Sequence, residues 1–463
     1  MDEREAPYTD GPRDEGTRTF LAGERLHLNA EARQQLNPVQ APILLDEKNP
    51  HARLFVAAMD GTGNDFIHDP EHATNVGLIY DQIRAGGNGR IEARYVEGSG
   101  TQQDRVERIL DGARGDSAMP RAEHMYQLFI DQAGQWKQDD PNAQISLAGL
   151  GFSRGGEEVA LLTRLVEERG IQDPLGAVYT YDAHHQITRV EYAQPPLVAP
   201  GETAQVVVLF DPVGTGKPMH EDRRLPPSVI SGLQLNAMDE LRRLFKSDHI
   251  IDPGISPDGR FIGLNLAGAH SDVGGGYRLN GLSNSAGGLG IAYLNALSSR
   301  PYLHELQESD DPQRNVIHRS EDGLLLYGFD YKVDRSTPNG YNERLVDQRM
   351  AAHVVDPDNA EPRNEKLNAR FVRQTVSEDL RSPLEKSPVD LTQSDLDKLI
   401  DRLYQGALHS DAKAMDAVTR DYLRTPHGQA WQQQVMQSDP VLPVPVAVRE
   451  STHPPAAQQA PVM

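Results

Sequence analysis

The 463-residue chain carries 46 Lys and Arg against 68 Asp and Glu, a formal charge of -22, with 38% hydrophobic and 25% charged residues. A surface that is acidic on average repels phosphate backbones and anionic bilayers, which argues against a nucleic-acid partner, although a local basic patch could still meet anionic lipid. There is no cysteine, which excludes disulfides, thiolate metal sites and cysteine nucleophiles together and leaves the chain indifferent to redox compartment.

Residues 1–50 are rich in Arg, Glu, Gln and Pro with little periodicity, and read as an extension or docking arm rather than core. The start, MDEREAPYTDGPRDEG, lacks the apolar stretch of a secretory signal. No later run is long enough to cross a bilayer. The expectation is a protein made in the cytoplasm without a signal peptide.

Residues 51–300 read as a catalytic core. A buried strand is expected at Leu54 to Met59, stopped by the loop Asp60-Gly61-Thr62-Gly63-Asn64. Next come a helical pattern near Ala73 to Ile83, a strand around Ile91 to Val96, a helix near Arg121 to Trp136 and a strand from Ile145 to Leu150. A helix after Arg154 and strands at Val206 to Phe210 and Phe261 to Ala267 complete the alternation. Such alternation predicts an α/β fold, a mostly parallel sheet with helices on both faces, whose sites collect at the carboxyl ends of strands. The polar, alternating stretch Ile171 to Thr203 reads as an inserted hairpin.

Residues 301–436 read as a charged, Pro-punctuated cap or separate module followed by a small helical subdomain opening at Ser394-Asp395-Leu396-Asp397. Residues 437–463 form a Pro-rich tail expected to be extended or disordered.

The strongest chemical signal is ISLAGLGFSRGGEEVALLTRLV, in which a strand runs into Gly151-Phe152-Ser153-Arg154-Gly155 and a helix begins at once. This is the nucleophile elbow of the α/β-hydrolase class: a strained turn exposes the serine hydroxyl above the sheet, and small flanking residues avoid collisions. A serine needs a base, and the base an orienting carboxylate, in the chain order Ser, Asp or Glu, His. The strand VVVLF delivers Asp211, and FIGLNLAG delivers His270. Asp272 is an alternative orienting acid. His249 is the nearest rival base, and His184 and His185 fall in the polar insertion. The two glycines after Asp60 make that loop the expected oxyanion hole, with the amides of Gly61, Thr62 and Arg154 as donors and Asp60 in support.

Three other patterns are set aside. Gly214-Thr215-Gly216-Lys217 is reminiscent of a phosphate loop, but Asp211 and Pro218 occupy positions that need Gly and Ser or Thr. Asp60, Thr62, Asn64 and Glu71 match part of a calcium loop, with Asp65 where its turn glycine belongs. Gly274-Gly275-Gly276 lacks the dinucleotide fingerprint. No metal or cofactor is expected.

DGTGN after the first strand, GFSRG at the elbow and AGAHSDVGGGY after a late strand together resemble the bacterial type VI secretion phospholipase effectors, over roughly Leu54 to Ala296. The resemblance implies a hydrolase domain with a Ser-Asp-His triad on Ser153, Asp211 and His270. Asp211 stands in LFDPVG, where the family has a Trp-Asp-Thr-Val-Gly type of segment. The family's His-Ala segment before Asp-Glu corresponds to Leu235-Asn236-Ala237-Met238-Asp239-Glu240, which has no histidine. It further implies hydrolysis of membrane phospholipids by an antibacterial toxin that a secretion-apparatus component carries into the target cell periplasm, with an immunity protein guarding the producer. A phospholipase of A type is the leading expectation. An esterase or thioesterase for a soluble substrate, or a noncatalytic hydrolase-like binding module, are the alternatives.

Overall fold

The computed structural model describes residues 19–98, 118–181, 187–214, 217–306, 311–319 and 332–376. The expected helical subdomain and Pro-rich tail lie outside them, as do His184 and His185.

Seven strands make the central sheet: β1 (Ala52–Met59), β2 (Ile91–Val96), β3 (Gln144–Phe152), β4 (Gln205–Phe210), β5 (Val229–Ala237), β6 (Gly254–Ile255) and β7 (Phe261–Leu266). Their order is β6-β7-β5-β4-β3-β1-β2. All neighbours are parallel except β6, which runs antiparallel to β7 at the edge.

Strands buried on both faces read as continuous apolar runs, and the two-residue period then sends alternate side chains to opposite layers. In β1, Leu54, Val56 and Ala58 enter one core while Phe55, Ala57 and Met59 enter the other. In β4, Val206, Val208 and Phe210 oppose Val207 and Leu209 in the same way.

The first layer is closed by α1 (His27–Leu36), α2 (Asn75–Gly86) and α6 (Gly281–Asn295), through residues such as Leu36, Ile79 and Leu289. The second is closed by α3 (Ala118–Asp139) and α4 (Arg154–Arg169), through Phe129, Trp136 and Leu162. A short helix, α5 (His270–Gly274), follows β7. The start and stop of α2 are written locally. Thr74 caps it by accepting the Gly77 N–H at 3.2 Å, and Gly87 ends it in the left-handed region at φ 57°.

The expected hairpin is present as Val178–Tyr181 paired with Ile187–Glu191, apart from the main sheet. Two expectations are corrected. Residues 19–50 are not an arm, because Ala32, Leu36, Ala41, Leu44 and Leu45 are buried in the same core as β1. Residues 332–376 are not a separate module either. Leu345 and Val346 are fully buried, and Arg373–Thr375 pairs antiparallel with Gln40–Pro42. The strands in both segments are no longer than three residues, too short to show a period of two in sequence.

Candidate functional site

β3 ends at Phe152 and α4 begins at Arg154, so the chain must turn within Ser153, which takes φ 56° and ψ -125°. This is a conformation L residues rarely adopt, held by its surroundings. The Ser153 N–H donates to the Phe210 carbonyl at 3.0 Å, and the Ser153 carbonyl accepts the Gly156 N–H at 3.0 Å. Packing explains the flanking glycines. A Cβ on Gly151 would come within 2.5 Å of the Gly155 carbonyl oxygen, and one on Gly155 within 2.1 Å of the Met59 carbonyl oxygen.

Asp211 occupies the tip of the adjacent strand β4, also at positive φ (43°), with its N–H donating to the Leu235 carbonyl at 2.7 Å. Its Oδ2 accepts from His270 Nδ1 at 2.6 Å. Its Oδ1 accepts the Ala237 N–H at 2.9 Å and is ion-paired to the Arg335 guanidinium. Burial pushes the Asp211 carboxyl up, but the Arg335 charge and the His270 contact outweigh it and hold the group below the usual carboxylate range.

His270 opens α5 at the end of β7. Its ring lies between Phe152, centroids 4.7 Å apart, and the edge of Phe245, 5.1 Å away. Burial lowers its basicity, and the Asp211 carboxylate only partly restores it. With Nδ1 committed to Asp211, Nε2 is the nitrogen left for proton exchange. Ser153 and His270 each follow the carboxyl end of a parallel strand, and the ring of Phe152, which precedes the serine, packs against the imidazole.

The loop after β1 reaches the same rim, since a Cβ on Gly61 would lie 3.1 Å from Ser153 Cβ. Arg154 Nε donates to Thr62 Oγ1, which ties the loop to the start of α4. The donor role expected of Gly61 is corrected. Its N–H donates to Asp60 Oδ1 at 2.7 Å, and a buried carboxylate holds such a donor firmly. Asp60 also accepts from Thr74 Oγ1 at 2.9 Å and from the Tyr95 hydroxyl at 2.7 Å. Its complete burial nevertheless raises its pKa to about 6 against those hydrogen bonds.

Asp272 does not face His270. It accepts the Ala269 N–H at 2.8 Å and both the N–H and Nδ1 of His318, at 2.9 and 2.6 Å, closing the first turn of α5. His249 is stacked on Tyr341 at 4.1 Å and pushed down to about 4, first by burial and then by the Arg335 charge.

Arg335, which lies 124 residues beyond Asp211, was not legible in the sequence. Ala237 at the tip of β5 and Glu240, whose Oε2 accepts the His270 N–H at 3.3 Å, lie in the segment that the resemblance marks, but nothing in that pattern assigned them a part. Among the described residues, no group of three His, Asp or Glu side chains is arranged to hold a metal ion, and no helix is long and apolar enough to cross a membrane.

Residues 53–196 match the family model described as T6SS, phospholipase effector Tle1-like, catalytic domain. No curated protein matches the chain. Among solved structures, an uncharacterized protein from Pseudomonas aeruginosa is similar at 16% identity and a TM-score of 0.32, over 90% of this chain and 62% of that one. The chain thus spans about three fifths of that protein's length. The apo form of esterase 2 from Thermogutta terrifontis is similar at 14% identity and a TM-score of 0.28, over 55% of this chain and 88% of that one.

Proposed function

We propose that this chain, similar over residues 53–196 to the Tle1-like phospholipase effectors, is a serine ester hydrolase that cleaves phospholipid acyl esters through Ser153, His270 and Asp211. The observation that carries the reading is the 2.6 Å contact between His270 Nδ1 and Asp211 Oδ2, on the rim where Ser153 is held in a strained turn.

Ser153 Oγ attacks the acyl carbonyl carbon while His270 Nε2 takes its proton. The oxyanion collapses, the glycerol oxygen departs with that proton, and an acyl-enzyme remains. Water then attacks the ester, giving its proton to Nε2, and the fatty acid leaves as Ser153 recovers its hydrogen. Asp211 orients the imidazole and stabilises its charged form. The Arg154 N–H, at the first position of α4, and the Thr62 N–H are the donors assigned to the oxyanion, and losing one such donor costs roughly 3 kcal/mol of transition-state stabilisation. Gly61 serves by allowing the loop to approach Ser153.

The wider role proposed is that of an antibacterial effector carried by a type VI apparatus into a target periplasm and neutralised in the producer by an immunity protein. The family resemblance supports this role.

Product analysis on phosphatidylethanolamine and phosphatidylglycerol vesicles tests the enzymology. The expected products are free fatty acid and lysophospholipid, absent with Ser153→Ala. Retained hydrolysis in that variant overturns the assignment. Turnover of soluble esters with no gain on vesicles favours a soluble-substrate esterase, and inertness to a fluorophosphonate probe favours a binding module.

A further inference from the structure

A buried carboxylate that only accepts the imidazole N–H needs no second cation, and burying a guanidinium beside it carries a desolvation cost. Arg335 nevertheless stands there with its side chain 1% exposed, against an Asp211 side chain that is 0% exposed. Its Nη1 reaches both Asp211 Oδ1 and, at 3.1 Å, the Ala237 carbonyl. Its Nη2 donates to the Phe245 carbonyl. One guanidinium therefore joins the tip of β4, the end of β5 and the turn whose Phe245 ring abuts His270. Its own segment is anchored by the Val333 N–H, which donates to the Leu241 carbonyl at 3.0 Å.

We infer that Arg335 is a positioning residue: it fixes the Asp211 carboxylate in the orientation that receives His270 Nδ1–H and sets how strongly that carboxylate holds the imidazolium. This rests on the hydrolase reading above. A planar fork suits the task because it satisfies several acceptors in one plane, which an ammonium cannot.

The charged groups around the pair define the sign. Asp211 and Glu240 favour the imidazolium and Arg242 opposes it, while the Arg335 cation acts through Asp211, whose negative charge it compensates. Arg242 is paired with Glu240 at 2.8 Å, and Asp272 is taken up by His318 at 2.6 Å. Asp239 is bound by Arg25 at 2.9 Å. His249, which senses both Arg335 and Asp211, is held neutral down to about 4. Removing the Arg335 charge leaves Asp211 less compensated, so the imidazolium gains stability and the acid limb of the pH profile moves to higher pH.

The test compares wild type, Arg335→Met and Arg335→Lys. The readouts are the pH dependence of fluorophosphonate labelling at Ser153, and kcat and KM on a short-chain nitrophenyl ester. Arg335→Met is expected to lower kcat by roughly 30-fold with KM within about twofold, as for loss of an interaction made mainly in the transition state. Its acid limb should rise by roughly half a unit or more. Arg335→Lys keeps the charge and should hold the limb near its wild-type position while kcat falls less. A folded Arg335→Met with wild-type kcat or an unmoved limb overturns the inference. If that variant does not fold, wild-type kcat in Arg335→Lys overturns it. Failure of the hydrolase reading looks different, because wild type itself then resists the probe or Ser153→Ala is labelled equally.

Discussion

The rings of Phe152 and His270 lie 4.7 Å apart with their planes inclined by 33°, so the residue preceding the nucleophile is also a wall of the imidazole's seat. Gly274, in the turn of helix that His270 opens, packs on the same ring: a Cβ there would fall 1.9 Å from Phe152 Cε2. Gly274→Ala is therefore expected to displace Phe152 and with it His270. Overpacking of this kind costs about 1–3 kcal/mol, read as a fall in Tm, and kcat should fall with KM little changed. The companion change Phe152→Leu should recover part of the loss. A Gly274→Ala protein that melts and turns over as wild type removes this account of how the imidazole is seated.

Ser153 pairs its proposed chemistry with local strain. At φ 56° a serine is held in a region costing on the order of 1–3 kcal/mol, which glycine tolerates. Ser153→Gly and Ser153→Ala should both lose ester hydrolysis, yet the glycine variant should be more stable than the alanine variant by about 1 kcal/mol after its greater unfolded-state entropy is counted. Urea denaturation checks the order. A glycine variant less stable than alanine would mean that the turn is relaxed.

The strands that position Ser153, Asp211 and His270 were legible because each is a short apolar run ending in a polar turn, and a doubly covered parallel sheet requires that pattern. β5 was missed although it lies beside β4, since Gln234 and Asn236 interrupt its apolar run. In the fold their polarity is met internally, with Gln234 Nε2 donating to Asn236 Oδ1 at 2.8 Å. α6 was missed for the opposite reason. It is buried on every side and rich in glycine, so it offers neither an amphipathic stripe nor strong helix propensity. Arg335 was illegible in principle, because its partner is a carboxylate far along the chain and no local spacing encodes the meeting.

Asp272 and His318 form a second buried acid–imidazole pair, 2.6 Å apart, with the His318 ring stacked on Tyr277 at 3.8 Å. Since Asp272 also caps the turn that begins with His270, His318→Ala should loosen that turn and leave a buried carboxylate short of a donor. A stability loss of about 2 kcal/mol or more is expected. Fluorophosphonate labelling should slow as well, while the pH at half-maximal labelling stays put because His318 does not touch the reacting groups. A moved limb would give His318 a more direct part.

Asp60 gives a prediction in pH. Its folded pKa is raised to about 6 from 3.8, so protonation stabilises the fold below the unfolded value, and that contribution is lost as pH rises through 6. Asp60→Asn does not titrate there. The stability of Asp60→Asn minus that of wild type should thus increase between pH 4 and pH 7, by on the order of 3 kcal/mol at most. Urea melts of both proteins across that range measure it, and a flat difference would show that the carboxylate's hydrogen bonds fully offset its burial.

The place of residues 19–50 is tested by two leucines close together in the chain. Leu36 is 2% exposed and belongs to the core that carries β1, β3 and β4, whereas Leu26 is 37% exposed and outside it. Deleting buried methyl and methylene groups costs transfer free energy plus a cavity, so Leu36→Ala should destabilise the whole fold by about 2–5 kcal/mol. Leu26→Ala should remain within about 0.5 kcal/mol of wild type. Because Leu36 is shared with the sheet, its loss should appear in the single main unfolding transition and not as a separate early one. Equal, small effects at both positions would return this segment to the status of an appended arm.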